Sequence, residues 1–471
     1  MPSRFNRVDY PAVGASYRSP SLPASAQRTV NLYPEVLDNG LVNVALHNFP
    51  GLNRKLSGNS GEFDRGFHTF KGNLYQVAGS QLYLVSSTYV RTAIGSIAGT
   101  GYVSMSDNGS TMVIVTGGSG EYTYDGSTFA AVTLSSNPSN VEYLNSSFYF
   151  DDDDGRVSVT TPGTLTIPGL NFFAPVSAPD SLVRTYIFNQ FIYLFGERTI
   201  EPWQPVGAGV PPVERMNGAI VESVGLAGRT AVTNTEKAMY FVSDKGDAIQ
   251  LAGFQTKEIS TVAINNEWRQ YSTTSDAIVQ TVDILSLDFV IFSFPTAGKT
   301  WGYVEQYGIW FELETGTARG RWLGNTIIEA YGRNIVADYA TGNIYELDPD
   351  VYTDNGLTTV RERIFAPLAG EKFQKPRQFY QFNEFGLSIE TGLGNTAEIN
   401  PLIGIAFSTD GGQTYSNERF KKVGQDGEYQ KEVKVTDNKH FRDLTVRLRY
   451  TEPNKFSLFS SYIMIRESGR K

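Results

Sequence analysis

The chain of 471 residues has no cysteine and only three histidines, His47, His68 and His440. Without cysteine there can be no disulfide, no thiolate metal site and no cysteine nucleophile. Three histidines scattered singly leave few ligands for a zinc site and few candidates for a His-based triad. Any metal site would have to be rich in carboxylates. No run of 18 apolar residues occurs, so no membrane-spanning helix is expected. The N-terminal MPSRFNRVDYPAVGASY lacks the apolar stretch of a signal peptide, and the reading is of a soluble protein without an address. Clustered basic charge is also scarce. A formal net charge of −9 and a pI near 5.1 oppose tight nonspecific binding to a phosphate backbone. The ordinary service of a mildly acidic balance is solubility. No G-x-S-x-G, Walker-type loop, H-E-x-x-H or D-x-D-x-D signature is found.

What the chain does contain is a hairpin that returns. A short strand of aromatic and β-branched residues meets a Gly, Asp or Ser turn, and a second such strand follows. Examples are GNLYQVAGSQLYLV (Gly72 to Val85), TMVIVTGGSGEYTYD (Thr111 to Asp125) and NIVADYATGNIYELD (Asn334 to Asp348). Taking Leu74, Val113, Tyr149, Tyr193, Phe241, Phe292 and Ala337 as equivalent points, the steps are 39, 36, 44, 48, 51 and 45 residues. A hairpin repeated at that period predicts the blades of a β-propeller, six or seven in number. A strand from the segment after Leu41 could complete the last blade.

Three regions follow from texture. Residues 1–50 are rich in Pro, Ser and Ala with little alternation, and are expected to form an extended N-terminal arm laid on a neighbouring surface, outside the folded core. Residues 51–350 form the expected propeller. Residues 351–471 alternate with period two but lack the repeat, which predicts a C-terminal antiparallel β-sandwich-like domain. Basic residues gather there, from Arg419 to Arg449, and Arg447 and Arg449 should share one sheet face.

Two local patterns bear on chemistry. Four carboxylates, Asp151, Asp152, Asp153 and Asp154, precede Gly155. Calcium would want alternating oxygens and a later bidentate Glu, which is missing here, so the stretch reads as a solvated acidic hairpin turn. Ser408 to Tyr415, STDGGQTY, fits the Asp-box pattern, in which Ser408, Asp410, Gly412 and Tyr415 mark a hairpin turn held by side-chain hydrogen bonds. Its expected role is structural. No catalytic, cofactor-binding or metal-binding residue is assigned, and no cofactor is expected.

The succession QRTVNLYPE (Gln27 to Glu35), FPGL (Phe49 to Leu52), PDSLV (Pro179 to Val183), LFGERTIEPW (Leu194 to Trp203), ERMNGAIVESVGLAG (Glu214 to Gly228) and KTWGYVEQYGIWFELE (Lys299 to Glu314) resembles the packaged-DNA stabilisation proteins, the tail hubs or nozzles of short-tailed phages. The resemblance implies a structural virion protein, assembled in the host cytoplasm, and not an enzyme. It implies a homo-oligomeric ring, of six copies in the relatives, beneath the portal and adaptor. Such a ring prolongs and helps close the DNA channel, and anchors a plug, needle or tail spikes. Genomic DNA would pass through without sequence-specific binding, and no membrane insertion is implied. In that frame the Asp151 to Asp154 turn is a candidate wall of the channel. The alternatives are a sialidase-like propeller enzyme, which needs a convergent acid pair in one pocket, and a monomeric propeller that binds peptides or glycans.

Overall fold

The computed structural model describes residues 5–22, 24–37, 44–59, 61–134, 137–177, 180–207, 209–369, 372, 378–395 and 398–468. Among them, nearly all regular structure is β. Each propeller unit is an antiparallel meander of four strands. In the first, Asp64–Phe70, Asn73–Ala78, Gln81–Val85 and Arg91–Ser96 pair in sequence order. Units of the same kind occupy residues 104–132, 141–173, 182–215, 232–258 and 278–315. A seventh uses Gly324–Ala330, Arg333–Asp338 and Ile344–Asp348, and takes its outer strand, Gly51–Leu56, from far upstream. Six of these units are sheets of their own. The remaining one, residues 278–315, runs on into the second lobe.

All seven repeat points lie on the second strand of their blades and are almost wholly buried. That strand has neighbours on both edges and sheets packed on both faces, so it must be continuously apolar, as Met239–Val242 and Met112–Val115 are. Large aromatic residues fill the space between blades: Phe195 meets Phe241 at 5.3 Å between ring centroids, and Trp268 meets Phe294 at 4.6 Å. Trp268 ends the short helix Val262–Trp268, whose first turn is capped by Thr261 accepting from the Ile264 N–H.

The sandwich begins with Arg361–Ile364. One layer contains Arg361–Ile364, Asp443–Tyr450, Leu402–Ser408 and Arg419–Lys422. The facing layer contains Phe379–Ile389, Ser457–Ser468 and Val433–Thr436. Phe382, Phe385 and Phe407 join the layers in a shared core.

The N-terminal segment is extended, but its described part does not lie outside this core. Asn6–Asp9 pairs with the final strand, in register from Asn6 with Ile465 to Asp9 with Tyr462. Leu32–Val36 and Val44–Asn48 form a hairpin that joins the same layer through His47 and Ser457. Ala26–Val30 lies between the two lobes, parallel to Ile309–Thr315 on one edge and antiparallel to Arg361–Ile364 on the other. Tyr10 is 1% exposed and its hydroxyl donates to the Ala366 carbonyl at 2.6 Å. The expectation of an arm excluded from the core is therefore corrected. Its Pro and Ser content hid strands whose partners lie hundreds of residues away.

Candidate functional site

The acidic turn divides between interior and surface. Asp151 closes the second strand of its blade and is 2% exposed, and Asp152 is 9% exposed. The Thr185 N–H donates to Asp151 Oδ2 at 2.8 Å, tying this blade to the next, while burial raises the Asp151 carboxyl above its ordinary range. Asp152 accepts from the Ser158 hydroxyl at 2.5 Å. Asp153 and Asp154 are exposed; Asp153 accepts from Asn137, and Asp154 sits 3.4 Å from Arg156 Nε. The expectation of a wholly solvated turn is corrected for Asp151 and Asp152. Asp151 braces its blade against the next, and Asp152 is bonded within its own blade. Among the described residues, no group of three or more His, Asp or Glu is placed to hold a metal ion.

In the Ser408 to Tyr415 turn, the Ser408 hydroxyl donates to Asp410 Oδ1 at 2.6 Å and accepts from the Gly412 N–H at 2.9 Å. Asp410 also accepts from the N–H groups of Gln413 and Thr414 and from the Thr414 hydroxyl. The Ser408 and Thr414 hydroxyls, with these amides, hold its carboxyl down to about 2. Gly412 has φ +87°, and a Cβ there would come within 2.8 Å of Ala26 Cβ, so the turn sits against the strand that joins the lobes. Tyr415 lies beneath the Arg447 guanidinium, 4.5 Å from the ring centroid.

Sequence reasoning missed a second turn of the same construction. Asp338, fully buried, accepts from the N–H groups of Ala340, Thr341 and Gly342 and from the hydroxyls of Thr341 and Tyr345. The signal was present as Asp followed three residues later by Thr-Gly. Asp125 repeats it on a smaller scale with Ser127 and Thr128.

Two cavities lie among the blades. The smaller, of about 150 Å³, is walled by residues including Tyr102, Arg184, Tyr186 and Gln280. At roughly 30 Å³ per water, it holds about five waters and no nucleic acid strand. Beside it, Arg184 donates to the Arg229 carbonyl at 2.7 Å and reaches Glu142 at 3.4 Å, and burial pushes Glu142 up to about 7. A far larger groove, about 1110 Å³, opens across the last three blades. Its walls include Glu236, Asp283, Asp288, Glu329, Glu346 and Asp348 against only two cations, Lys237 and Arg333. Charge is divided along the chain as well. Residues 361–471 carry 18 Lys and Arg against 14 Asp and Glu, whereas residues 1–360 carry 22 against 35. Arg447 and Arg449 do share a face, where Glu418 lies within 3.4 and 3.0 Å of them.

Between the lobes lies a buried ionic network. Arg28, on the joining strand, contacts Glu312 of the propeller in a close ion pair, Glu314 at 3.1 Å and Glu362 of the sandwich at 3.5 Å. Arg319 closes the ring through Glu314 and Glu362, the latter at 3.1 Å. Burial opposes ionisation of Glu312, yet Arg28 holds it below the usual carboxylate range. Asn31 adds two neutral bonds, donating to the carbonyls of Glu314 and Val360. Arg363, buried and with no carboxylate in contact among the described residues, donates to the carbonyls of Ala12, Ala15 and Arg28.

Blades, sandwich and joining strand together define an all-β propeller–sandwich protein with an acidic first lobe and a basic second one. Two family models match it: "Bacteriophage P22 Gp10, beta-propeller" over residues 14–352, and "Bacteriophage P22 Gp10, beta-sandwich" over residues 369–466. The chain belongs to this family, the packaged-DNA stabilisation tail proteins of short-tailed phages, and is a structural tail protein of the virion. No curated protein matches it. Similar solved structures include the extracellular domain of a putative one-component system from B. thetaiotaomicron, with 9% identity and a TM-score of 0.46 over 82% of this chain. The chain spans 47% of the length of that protein. The computationally designed Ika8 protein is similar over 68% of this chain and 99% of its own, at 9% identity and a TM-score of 0.38. No helix among the described residues is long and apolar enough to cross a membrane.

Proposed function

We propose that this protein is the nozzle of a phage tail, a ring-forming hub that sits below the portal and adaptor, prolongs the DNA channel and helps to close it after packaging. The observation that carries this reading is the match of both lobes, in order and in one chain, to the two parts of a single tail protein family. The DNA conduit of such a ring is formed between copies. The cavity beside Arg184 and Tyr186, about 150 Å³, is too small for a nucleic acid strand, which supports that reading.

The acidic first lobe supplies a wall suited to sliding DNA. A duplex carries one negative charge per about 1.7 Å of axis, so a lysine-lined wall would bind it through counterion release and arrest it. Carboxylates repel it over about 8 Å at physiological salt. The groove carrying Glu236, Asp283 and Glu329 is assigned to that wall, and the basic second lobe faces other tail components, such as the adaptor, plug or spikes. Imaging of virions by electron cryo-microscopy tests the assignment. A ring with the groove facing its axis is the expected result. A channel lined mainly by Lys and Arg would refute the repulsive wall, and a chain found singly at the tail would refute the nozzle.

A further inference from the structure

The strand Arg419–Lys422 is the outer edge of its layer. Among the described residues it pairs on one side only, with Leu402–Ser408, in register from Leu402 with Lys422 to Ile405 with Arg419. One position beyond Lys422, the Val423 N–H donates to the Pro401 carbonyl. Bonded and non-bonded pairs alternate along an antiparallel ladder. Arg419 and Lys421 therefore bond inward, and Phe420 and Lys422 turn their N–H and C=O groups to the open edge. Such an edge is a template for a further strand.

The side chains select which strand can join. Phe420 is 60% exposed, and its ring lies against Gly404, where a Cβ would come within 3.4 Å of Phe420 Cε1. Arg449 stands opposite Gly404 on the next strand inward, and Arg447 follows on the same face. These two share one carboxylate, Glu418, while Arg419 pairs with Asp437 at 2.7 Å. Lys421 and Lys422 have no ion pair among the described residues. Five cations thus meet two carboxylates around this edge. A second copy of the same strand would set lysine against lysine, which like charges disfavour. A phosphodiester chain would satisfy the cations, but it accepts hydrogen bonds and donates none to the outward carbonyls of Phe420 and Lys422. An acidic polypeptide satisfies both. We propose that Arg419–Lys422 is a docking edge for an extended acidic segment of another tail protein, which adds to the layer as one more strand. An apolar side chain of that segment lies beside Phe420, and its carboxylates meet Lys421 and Lys422. The inference rests on the reading that the second lobe faces other tail components, and it gives that contact a strand and a chemistry.

The full-length protein titrated with a fluorescein-labelled peptide of four Glu-Val repeats tests this. Fluorescence anisotropy should show that peptide binding roughly tenfold tighter than four Lys-Val repeats or oligothymidylate at the same ionic strength. Hydrogen exchange followed by mass spectrometry locates the contact. With free peptide at about ten times its Kd, protection over residues 418–423 should rise roughly tenfold. Lys422→Pro removes an outward N–H and leaves the inward ladder intact, so it should weaken the Glu-Val peptide by roughly five- to tenfold. Lys421→Glu combined with Lys422→Glu should move the preference to the Lys-Val peptide. Unchanged protection at 418–423, unchanged affinity in Lys422→Pro, or equal or tighter binding of the Lys-Val peptide or oligothymidylate overturns the proposal. Should Lys422→Pro fail to fold, the charge-reversed variant decides, and a preference that stays with Glu-Val overturns it. Imaging of virions separates this inference from the nozzle reading: a ring whose Arg419–Lys422 edge is bare overturns the docking edge and leaves the nozzle standing.

Discussion

Replacing Arg28 by alanine tests the view that one strand welds the lobes electrostatically as well as through its backbone. Arg28 is the cation shared by Glu312, Glu314 and Glu362, whose side chains are only 11%, 6% and 4% exposed. Removing it leaves Arg319 with Glu314 and Glu362 and takes from Glu312 its ion-pair partner among the described residues. Two charges about 4 Å apart interact by about 4 kcal/mol at an effective dielectric of 20. Breaking a buried pair by deleting one partner costs about 3–5 kcal/mol, because the other charge remains desolvated. Arg28 itself is 20% exposed, so the lower end, about 3 kcal/mol, is expected. Urea unfolding followed by tryptophan fluorescence at pH 8 should show that loss. Repeating it at pH 5 supplies an internal control: without Arg28, Glu312 rises toward protonation, and the deficit should shrink. The double variant Arg28→Met with Glu312→Leu should recover most of the stability, since apolar packing can replace a buried pair. A loss below about 1 kcal/mol, or a deficit equal at both pH values, would refute the reasoning.

Three further outcomes are expected. Tyr10→Ala should cost about 3–5 kcal/mol, as for a large ring removed from a core, whereas a segment outside the core would tolerate the change within a few tenths. Burial pushes Asp64 and Asp354 up to about 6, and Glu142 up to about 7. A raised folded value means that the native state holds more protons between about pH 4 and 7, so stability should decline as pH rises through that window. Asp64→Asn should flatten the decline in a series of melting curves, and a steady gain in stability from pH 5 to 8 would contradict it. Asp410→Ala removes an acceptor from an exposed turn and should cost about 1 kcal/mol, while Asp338→Ala, buried with five donors, should cost at least twice that by denaturant titration.

The blades were legible in the sequence because a propeller is locally encoded. Each blade is a meander, so strands that pair are neighbours in sequence. The second strand is buried on both faces and reads as an apolar run such as AMYFV or FVIFSF. The joining strand AQRTV was not legible, for the opposite reason. Its partners are Ile309–Thr315 and Arg361–Ile364, and its central Arg28 faces an ionic network and not a core. The four aspartates misled for a similar cause. Side chains at the end of a strand alternate in direction, and adjacency in sequence conceals that Asp151 accepts a bond from the next blade. The Asp-box could be read because every bond in it is made within seven residues, and the Asp338 turn could have been read the same way.

The pairing of Asn6 with Ile465, across 459 positions, bears on the order in which the molecule can be made. Blades can close one by one as they leave the ribosome, since their contacts are local. The seventh needs Gly51–Leu56 to wait for Ile344–Asp348, and the second lobe needs residues 6–48 to wait for the final strand. Until Ser457–Ser468 emerges, Leu32–Val36 and its hairpin have no edge to join. A chain interrupted at any point before it therefore exposes unpaired strands instead of a finished surface. Emergence of the final strand is thus the step that turns the first strands from open edges into paired ones.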